Sequence, residues 1–269
     1  MGAPVLTDTV NLYYIYYGNW TDSQKATLDH FGSHISSSSW YNIEKKYYYQ
    51  ADARSAKKFV NGNVVLKKTV VDNYSRGKVL NGTALPDIIQ AQIDAGHLPE
   101  DSSAVYFVLT SGDVAESIRP DLGRAAFCYS YCGYHVSWKL KSGTRIFYSQ
   151  VGNPTACLDG CAPHENSKVS PNGDFGVDAM TSVIAHELVE AVSDPESDGN
   201  RAWQDGIGYE NGDKCAWTYG VSQTHETGYK YNLVLGERNY YIQRNWYVNF
   251  RAPFMICRDP ELQACANEA

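Results

Sequence analysis

The segment "AHELVEAVSDP", Ala185 to Pro195, gives the strongest indication of how this chain folds. Asp178 is the predicted helix N-cap, and Pro195 ends the helix at or before Asp194. His186 and Glu190 lie one turn apart on the same face, where two side chains can bind one ion. Apolar residues at helical spacing predict a stripe that faces the core: Val177, Met180, Ile184, Leu188 and Ala191.

The polar residues of this helix have the chemistry of a metal site. The pattern H-E-x-x-E differs from the zinc motif H-E-x-x-H in its last residue, and carboxylate oxygen is also an accepted zinc ligand. Glu187 is then the residue expected to hold a metal-bound water and take its proton. The alternative is an ordinary acidic helix with a core histidine, although Glu190 stands among apolar residues and a buried carboxylate needs a partner.

A catalytic zinc needs a third protein ligand, and the sequence offers several. Glu210, in "YENGDKCAW", follows Glu190 by 20 residues, a separation that resembles the gluzincin arrangement. It is the preferred third ligand, with Asp213 expected to orient His186. Three other residues stay open as the third ligand: Asp194, His225 and His135. A loop or structural role is also predicted for His135.

The ion is expected to be Zn²⁺, with Ca²⁺ in a structural site as the alternative because carboxylates also suit a hard cation. An oxyanion would be stabilised by a tyrosine or histidine from the C-terminal part. The candidates for that role are Tyr219, His225 and Tyr229.

The order of predicted elements is that of an α/β (α+β) protein. Strands are predicted over Val10 to Trp20, Val64 to Val71, Ala104 to Thr110, "YHVSWKL" and "TRIFYSQV". Helices are predicted over "TDSQKATLDHFGSHI", "WYNIEKKYY" and "LPDIIQAQIDAG". Residues 1–194 would form an α/β domain that ends in the metal-site helix. Residues 195–269 would form a loop-rich subdomain that completes the site, or both parts would be one continuous domain.

Composition excludes several classes of protein. A net charge of −7 and a pI near 5.5 argue against nucleic-acid binding, and no apolar stretch is long enough for a membrane span. Seven cysteines, two pairs of them at C-x3-C spacing, predict disulfides and one unpaired thiol. Sequons at Asn19, Asn73 and Asn81 fit a secreted glycoprotein.

Several segments together resemble the phosphate-induced protein 1 family, which includes the plant Exordium proteins. The matching stretches are "YYGNW", "SSSSWYNIEKKYY", "VYFVLTSGDV", "FCYSYCGYH", "VGNPTACLDGCA" and "PNGDFGVDAM". The resemblance implies secretion to a cell wall and gives no substrate. Plant members are expected to lack the His-Glu pair, so "HELVEAVSDP" followed by "YENGDKC" looks like a microbial, zincin-like branch. That branch implies a zincin-like metallopeptidase fold, with a mixed sheet, an active-site helix and an irregular C-terminal subdomain.

Two functions are therefore expected from different classes. The first is a secreted zinc-dependent metallopeptidase that hydrolyses peptide or protein substrates through a metal-bound water. The second is a non-catalytic extracellular protein that binds cell-wall polysaccharide through its aromatic residues, with any metal structural.

Overall fold

A computed structural model describes residues 5–119, 125–196, 201–248 and 264–266. Its centre is a five-stranded sheet made of β1 (Val10–Tyr17), β2 (Val64–Asp72), β3 (Ala104–Thr110), β4 (Gly133–Lys139) and β5 (Arg145–Gly152). The strand order is β2-β1-β3-β5-β4. The first four strands in that order are parallel, and β4 is an antiparallel edge strand that pairs with β5. The predicted α/β class is therefore confirmed, with a mixed sheet.

Helices cover both faces of the sheet. They are α1 (Asp22–His34), α2 (Ala84–Asp94) and α3 (Phe175–Ser193). Successive side chains of β1 point to opposite faces, so Leu12, Tyr14 and Tyr16 enter one core while Tyr13, Ile15 and Tyr17 enter the other. The first core contains residues of α1 and α3, and the second contains residues of α2.

Shorter elements connect and extend this frame. The 3-10 helices are Ile35–Ser37, Tyr41–Lys46, Pro154–Ala156, His164–Asn166 and Asp213–Cys215, and Leu158–Cys161 is a single helical turn. The short strands are Tyr48–Tyr49 with Lys58–Phe59, Val79–Asn81 with Ala115–Arg119 and Ala125–Ala126, Gln223–Thr224 with Lys230–Tyr231, Leu233–Leu235 with Arg238–Tyr240, and Asn245–Tyr247 with Ala264–Ala266.

Most of the predicted long elements are confirmed. The continuous apolar run of β3 has the predicted bounds, and α1 begins after Thr21, whose side chain forms a capping box with Gln24. The predicted helix over "WYNIEKKYY" is only a 3-10 helix at Tyr41–Lys46. The chain after Pro195 also contains several short strand pairs that the sequence did not indicate.

One prediction about α3 is wrong and one is confirmed. Its N-cap is Asp174, whose side chain accepts from the Val177 amide, while Asp178 lies buried in the first turn and accepts from Asn172. The predicted core stripe of Val177, Met180, Ile184, Leu188 and Ala191 is confirmed, and burial extends to all residues of the helix except Phe175 and His186. It packs against β4 and β5 on one side and α1 on another.

The cysteines at C-x3-C spacing are joined across the two pairs. Cys128 bonds to Cys157 and Cys132 to Cys161, which ties the segment before β4 to the turn at Leu158–Cys161. Cys215 is also disulfide-bonded. The prediction of disulfides is confirmed; the unpaired thiol stays a prediction, because the side chains of Cys257 and Cys265 lie outside the described part of the structure.

The segments after residue 195 share the core of the sheet. Leu233, Tyr240 and Ile242 belong to the same hydrophobic cluster as α1 and α3. The predicted division at residue 195 stays a prediction, although this part of the core is continuous. None of the described helices combines the length and the apolarity that a membrane span requires.

Candidate metal centre

Helix α3 brings His186, Glu187 and Glu190 into a cluster of ionisable groups. His186 Nε2 lies 3.0 Å from Glu190 Oε1, as the one-turn separation predicts, and 3.7 Å from Asp213 Oδ1. The Asp213 amide donates to Glu190 Oε1 at 2.9 Å, so the 3-10 helix Asp213–Cys215 is fastened to α3 at this point. His186, Glu190 and Asp213 each present a donor atom close enough to the others to share one ion.

A second group shares Glu190 and lies deeper. His135, on the edge strand β4, has its Nδ1 atom 3.4 Å from Glu187 Oε2 and 3.5 Å from Glu190 Oε2. Its Nε2 atom lies 3.4 Å from Glu210 Oε1. Glu190 thus has one oxygen toward His186 and the other toward His135.

The preferred third ligand, Glu210, is therefore placed beside His135 and Arg201. The position next to His186 is taken by Asp213, for which only an orienting role was predicted. Asp194, the other carboxylate candidate, is fully buried, and its Oδ1 atom accepts from the Ala202 amide. Its Oδ2 atom lies 3.5 Å from Arg201, and Asp194 is the C-cap residue of α3.

Two glycines allow the surrounding segments to approach the cluster. A Cβ atom at Gly212 would lie 2.8 Å from Glu190 Oε1 and 3.1 Å from the His186 ring. A Cβ atom at Gly133 would lie 2.7 Å from Val183 and 3.0 Å from Glu187 Oε1. Both contacts are too short for a side chain, so the position of β4 and of the loop before Asp213 requires glycine.

The cluster holds its charges by mutual contact. Burial by itself would lower the pKa of His135 and of His186, but the carboxylates around each imidazole raise it well above the ordinary histidine value. Burial would also raise the pKa of Glu190, yet the two imidazoles hold it well below the usual range. For Glu187 burial dominates and the pKa is raised. This combination of buried imidazoles and carboxylates is typical of functional sites.

A cavity of about 330 Å³ opens onto one side of the cluster. His186, Glu187 and Asp213 reach its floor, and Gly133 and Val183 line it beside them. Its rim carries two aromatic side chains, Tyr129 at 86% exposure and Trp217 at 46%. Three cysteines of the two disulfides, Cys128, Cys132 and Cys161, also line it.

The predicted oxyanion donors do not line this cavity. Tyr219 is buried and stacked on Tyr241, and it lines a neighbouring cavity that also contains Trp217. His225 is stacked on Tyr229 next to the short strand Gln223–Thr224. Their predicted catalytic roles stay predictions without support from this arrangement.

The sequence offered His135 only as a minor alternative ligand, whereas the structure places it beside α3. Along β4, Tyr134 and Val136 pack against the second core, so Gly133 and His135 face the side that carries α3. The alternation of side chains along the strand "GYHVSW" could have predicted that Gly133 and His135 share one face. Which face α3 covers depends on tertiary packing, and His135 is 52 residues away from Glu187 in the chain.

Comparison with known proteins places the chain in a family. The model described as the phosphate-induced protein 1 conserved region matches residues 1–265. The chain belongs to the phosphate-induced protein 1 family. The resemblance found in the sequence is thereby confirmed, whereas the microbial branch and its zincin character stay predictions.

Plant members of this family are among the proteins similar to this chain. EXORDIUM-like 3 of Arabidopsis thaliana is 30% identical over 91% of this chain and 78% of its own length. EXORDIUM-like 5 of the same plant is 29% identical over 94% of this chain and 75% of its own length. PHOSPHATE-INDUCED 1 of Nicotiana tabacum is 30% identical over 71% of this chain and 62% of its own length. No solved structure matches the chain.

Proposed function

We propose that this protein is a secreted zinc-dependent hydrolase of peptide bonds, with His186, Glu190 and Asp213 as the metal ligands. The observation that supports it is the convergence of these three donors beside Glu187 on the floor of an open cavity. One imidazole and two carboxylates suit Zn²⁺, and the glycine at position 212 leaves room around them. Zinc bound there would polarise a substrate carbonyl.

The zincin-like fold is part of this proposal. The mixed sheet, its antiparallel edge strand β4 and the site helix α3 packed beneath that edge are the features that favour it. The disulfides favour secretion, because they form in oxidising compartments.

Glu187 is assigned the role of general base. Its carboxylate lies on the cavity floor, and burial raises its pKa, which makes it a stronger proton acceptor once ionised. His135 Nδ1 lies 3.4 Å from its Oε2 atom. Glu187 would take a proton from the attacking water and pass it to the leaving amine.

The test is the variant Glu187→Gln, assayed on a library of fluorogenic peptides. Loss of a general base is expected to lower turnover by about 10²- to 10⁴-fold. Zinc bound by His186, Glu190 and Asp213, measured by inductively coupled plasma mass spectrometry at one equivalent of added zinc, is expected to stay bound, because Glu187 is not one of these three ligands. Exposed Glu226→Gln is the charge-matched control and should keep both properties. Unchanged peptide cleavage in Glu187→Gln would refute the assigned mechanism.

The alternative is a non-catalytic extracellular protein that binds polysaccharide. It is favoured by the exposed rings of Tyr129 and Trp217 on the rim, since aromatic faces with polar tips suit sugar rings. Glycan-array binding that Trp217→Ala weakens, and that Glu187→Gln leaves intact, would select this function over hydrolysis.

A further inference from the structure

The geometry points to a second divalent-cation site, formed by His135 Nδ1, Glu187 Oε2 and Glu190 Oε2, with Glu190 bridging it to the first. The inference extends the proposed metal centre and rests on Glu190 being a ligand there. The three donor atoms belong to buried residues and lie close enough to one another to bind a single ion. The ion would be Zn²⁺ or another transition metal that accepts one imidazole and two carboxylates.

Donor spacing supports an ion in each group. Ligands at about 2.1 Å from a tetrahedral zinc are separated from one another by about 3.4 Å. His135 Nδ1 lies 3.4 and 3.5 Å from its two carboxylate oxygens. His186 Nε2 lies 3.0 and 3.7 Å from the two carboxylate oxygens of the other group. Glu190 contributes a different oxygen to each group, which is how a carboxylate bridges two ions about 3.5–4 Å apart.

The cluster also contains more carboxylates than cationic groups among the contacts given above. The carboxylates of this cluster are Glu187, Glu190, Asp194, Glu210 and Asp213. The cationic partners in contact with them are His135, His186 and Arg201. Five carboxylates therefore face three potential cations, even with both imidazoles protonated.

Glu210 gives an independent indication of a missing partner. Its Oε1 atom is inaccessible to solvent and accepts no hydrogen bond, although His135 Nε2 and Arg201 lie at 3.4 and 3.6 Å. A buried carboxylate oxygen without a hydrogen bond is costly. With an ion on its Nδ1 side, His135 would carry its proton on Nε2, which lies 3.2 Å from the Asp194 carbonyl oxygen and 3.4 Å from Glu210 Oε1, as expected for a ligand histidine.

A second ion would compete with the proton that Glu187 is proposed to accept. It would occupy the carboxylate that the hydrolytic proposal assigns to proton transfer, so excess zinc is expected to lower turnover as the second equivalent binds. An ion can reach this position from the cavity, because Glu187 and Gly133 line its floor.

The experiment is equilibrium dialysis of the full chain against Zn²⁺, with bound metal measured by inductively coupled plasma mass spectrometry. The wild type is expected to bind two ions and His135→Gln one, while His97→Gln, at an exposed position, should still bind two. Because a buried variant can fail to fold, the wild type is also loaded with ¹¹³Cd²⁺. Two cadmium resonances are then expected by nuclear magnetic resonance.

The outcomes separate the two proposals. One ion per wild-type chain and a single cadmium resonance would overturn the second site and leave the proposed hydrolase standing. Two ions that both persist in folded His135→Gln would overturn it as well. No bound ion in the wild type would overturn both.

Discussion

At the scale of single residues, the metal centre depends on the absence of a side chain at Gly212. This residue has φ −65° and ψ −47°, a conformation that any amino acid adopts, so its backbone does not require glycine. The requirement comes from the 2.8 Å and 3.1 Å approaches that a Cβ atom would make to Glu190 and His186. A methyl group there would occupy the space between the two ligands and the Asp213 amide.

Gly212→Ala is therefore expected to weaken zinc binding by roughly 10- to 100-fold, the usual effect of disturbing the groups that orient metal ligands. Competition with a chromophoric chelator measures the affinity. Gly206→Ala is the matched control, because a Cβ atom there meets nothing within 4 Å. Equal affinities for the two variants would mean that the ligands do not need the geometry described.

The sequence predicted the part of the site that one helix encodes. His186, Glu187 and Glu190 follow from helical spacing, since a turn of helix fixes their relative directions. Asp213 and Glu210 lie three residues apart, and spacing along the chain could not decide which one faces His186. The backbone amide of Asp213 donates to Glu190 Oε1, and this hydrogen bond holds Asp213 beside the imidazole of His186.

At the scale of elements, two disulfides connect the start of β4 to the turn at Leu158–Cys161. Cys128–Cys157 and Cys132–Cys161 span the same separation of 29 residues. A cross-link stabilises mainly by restricting the unfolded chain, by an amount set by the length of the closed loop. Because the two loops are equally long, this entropic contribution should also be equal.

Each pair replaced by serine is expected to lower the free energy of unfolding by roughly 2–3 kcal/mol, because the remaining disulfide already holds the two segments close together. Urea denaturation of Cys128→Ser/Cys157→Ser and of Cys132→Ser/Cys161→Ser provides the comparison, and each double variant is the control for the other. Losses that differ by more than about 2 kcal/mol would show that native-state contacts, and not loop length, dominate.

Prediction of the elements succeeded where one physical signal dominated. The run "AVYFVLT" is apolar throughout because β3 is covered on both faces, and its bounds were read directly from the sequence. The five stripe positions predicted for α3 lie in the core, but periodicity could not show that the rest of the helix is also buried, because burial on nearly all sides removes the polar face. The strands Leu233–Leu235 and Arg238–Tyr240 are too short for alternation to be visible.

At the scale of the whole molecule, Glu44 connects the N-terminal and C-terminal parts. Its side chain is fully buried, and its Oε1 atom accepts from the amides of Asn211, at 2.9 Å, and Asn245, at 2.7 Å. Asn211 precedes the glycine beside the metal ligands, so this contact supports the site from behind. Burial raises the pKa of Glu44 from the ordinary 4.5 to about 8, even though both amide hydrogen bonds lower it.

This shift predicts how stability depends on pH. Between pH 4.5 and 8 the folded chain keeps the Glu44 proton that the unfolded chain has lost. The folded state then binds more protons, so the free energy of unfolding falls as pH rises through this window. The expected contribution over the full window is roughly 3–5 kcal/mol.

Glu44→Gln keeps an amide oxygen for Asn211 and Asn245 and removes the titration. The variant is therefore expected to lose less stability than the wild type between pH 5 and 8, when urea denaturation is measured at several pH values. Glu226→Gln, at an exposed position, is the control and should follow the wild type. Parallel pH profiles for Glu44→Gln and the wild type would mean that Glu44 is ionised in the folded protein. In that case a cation or a donor outside the described contacts would have to compensate its charge, because the two asparagine amides alone do not offset its burial.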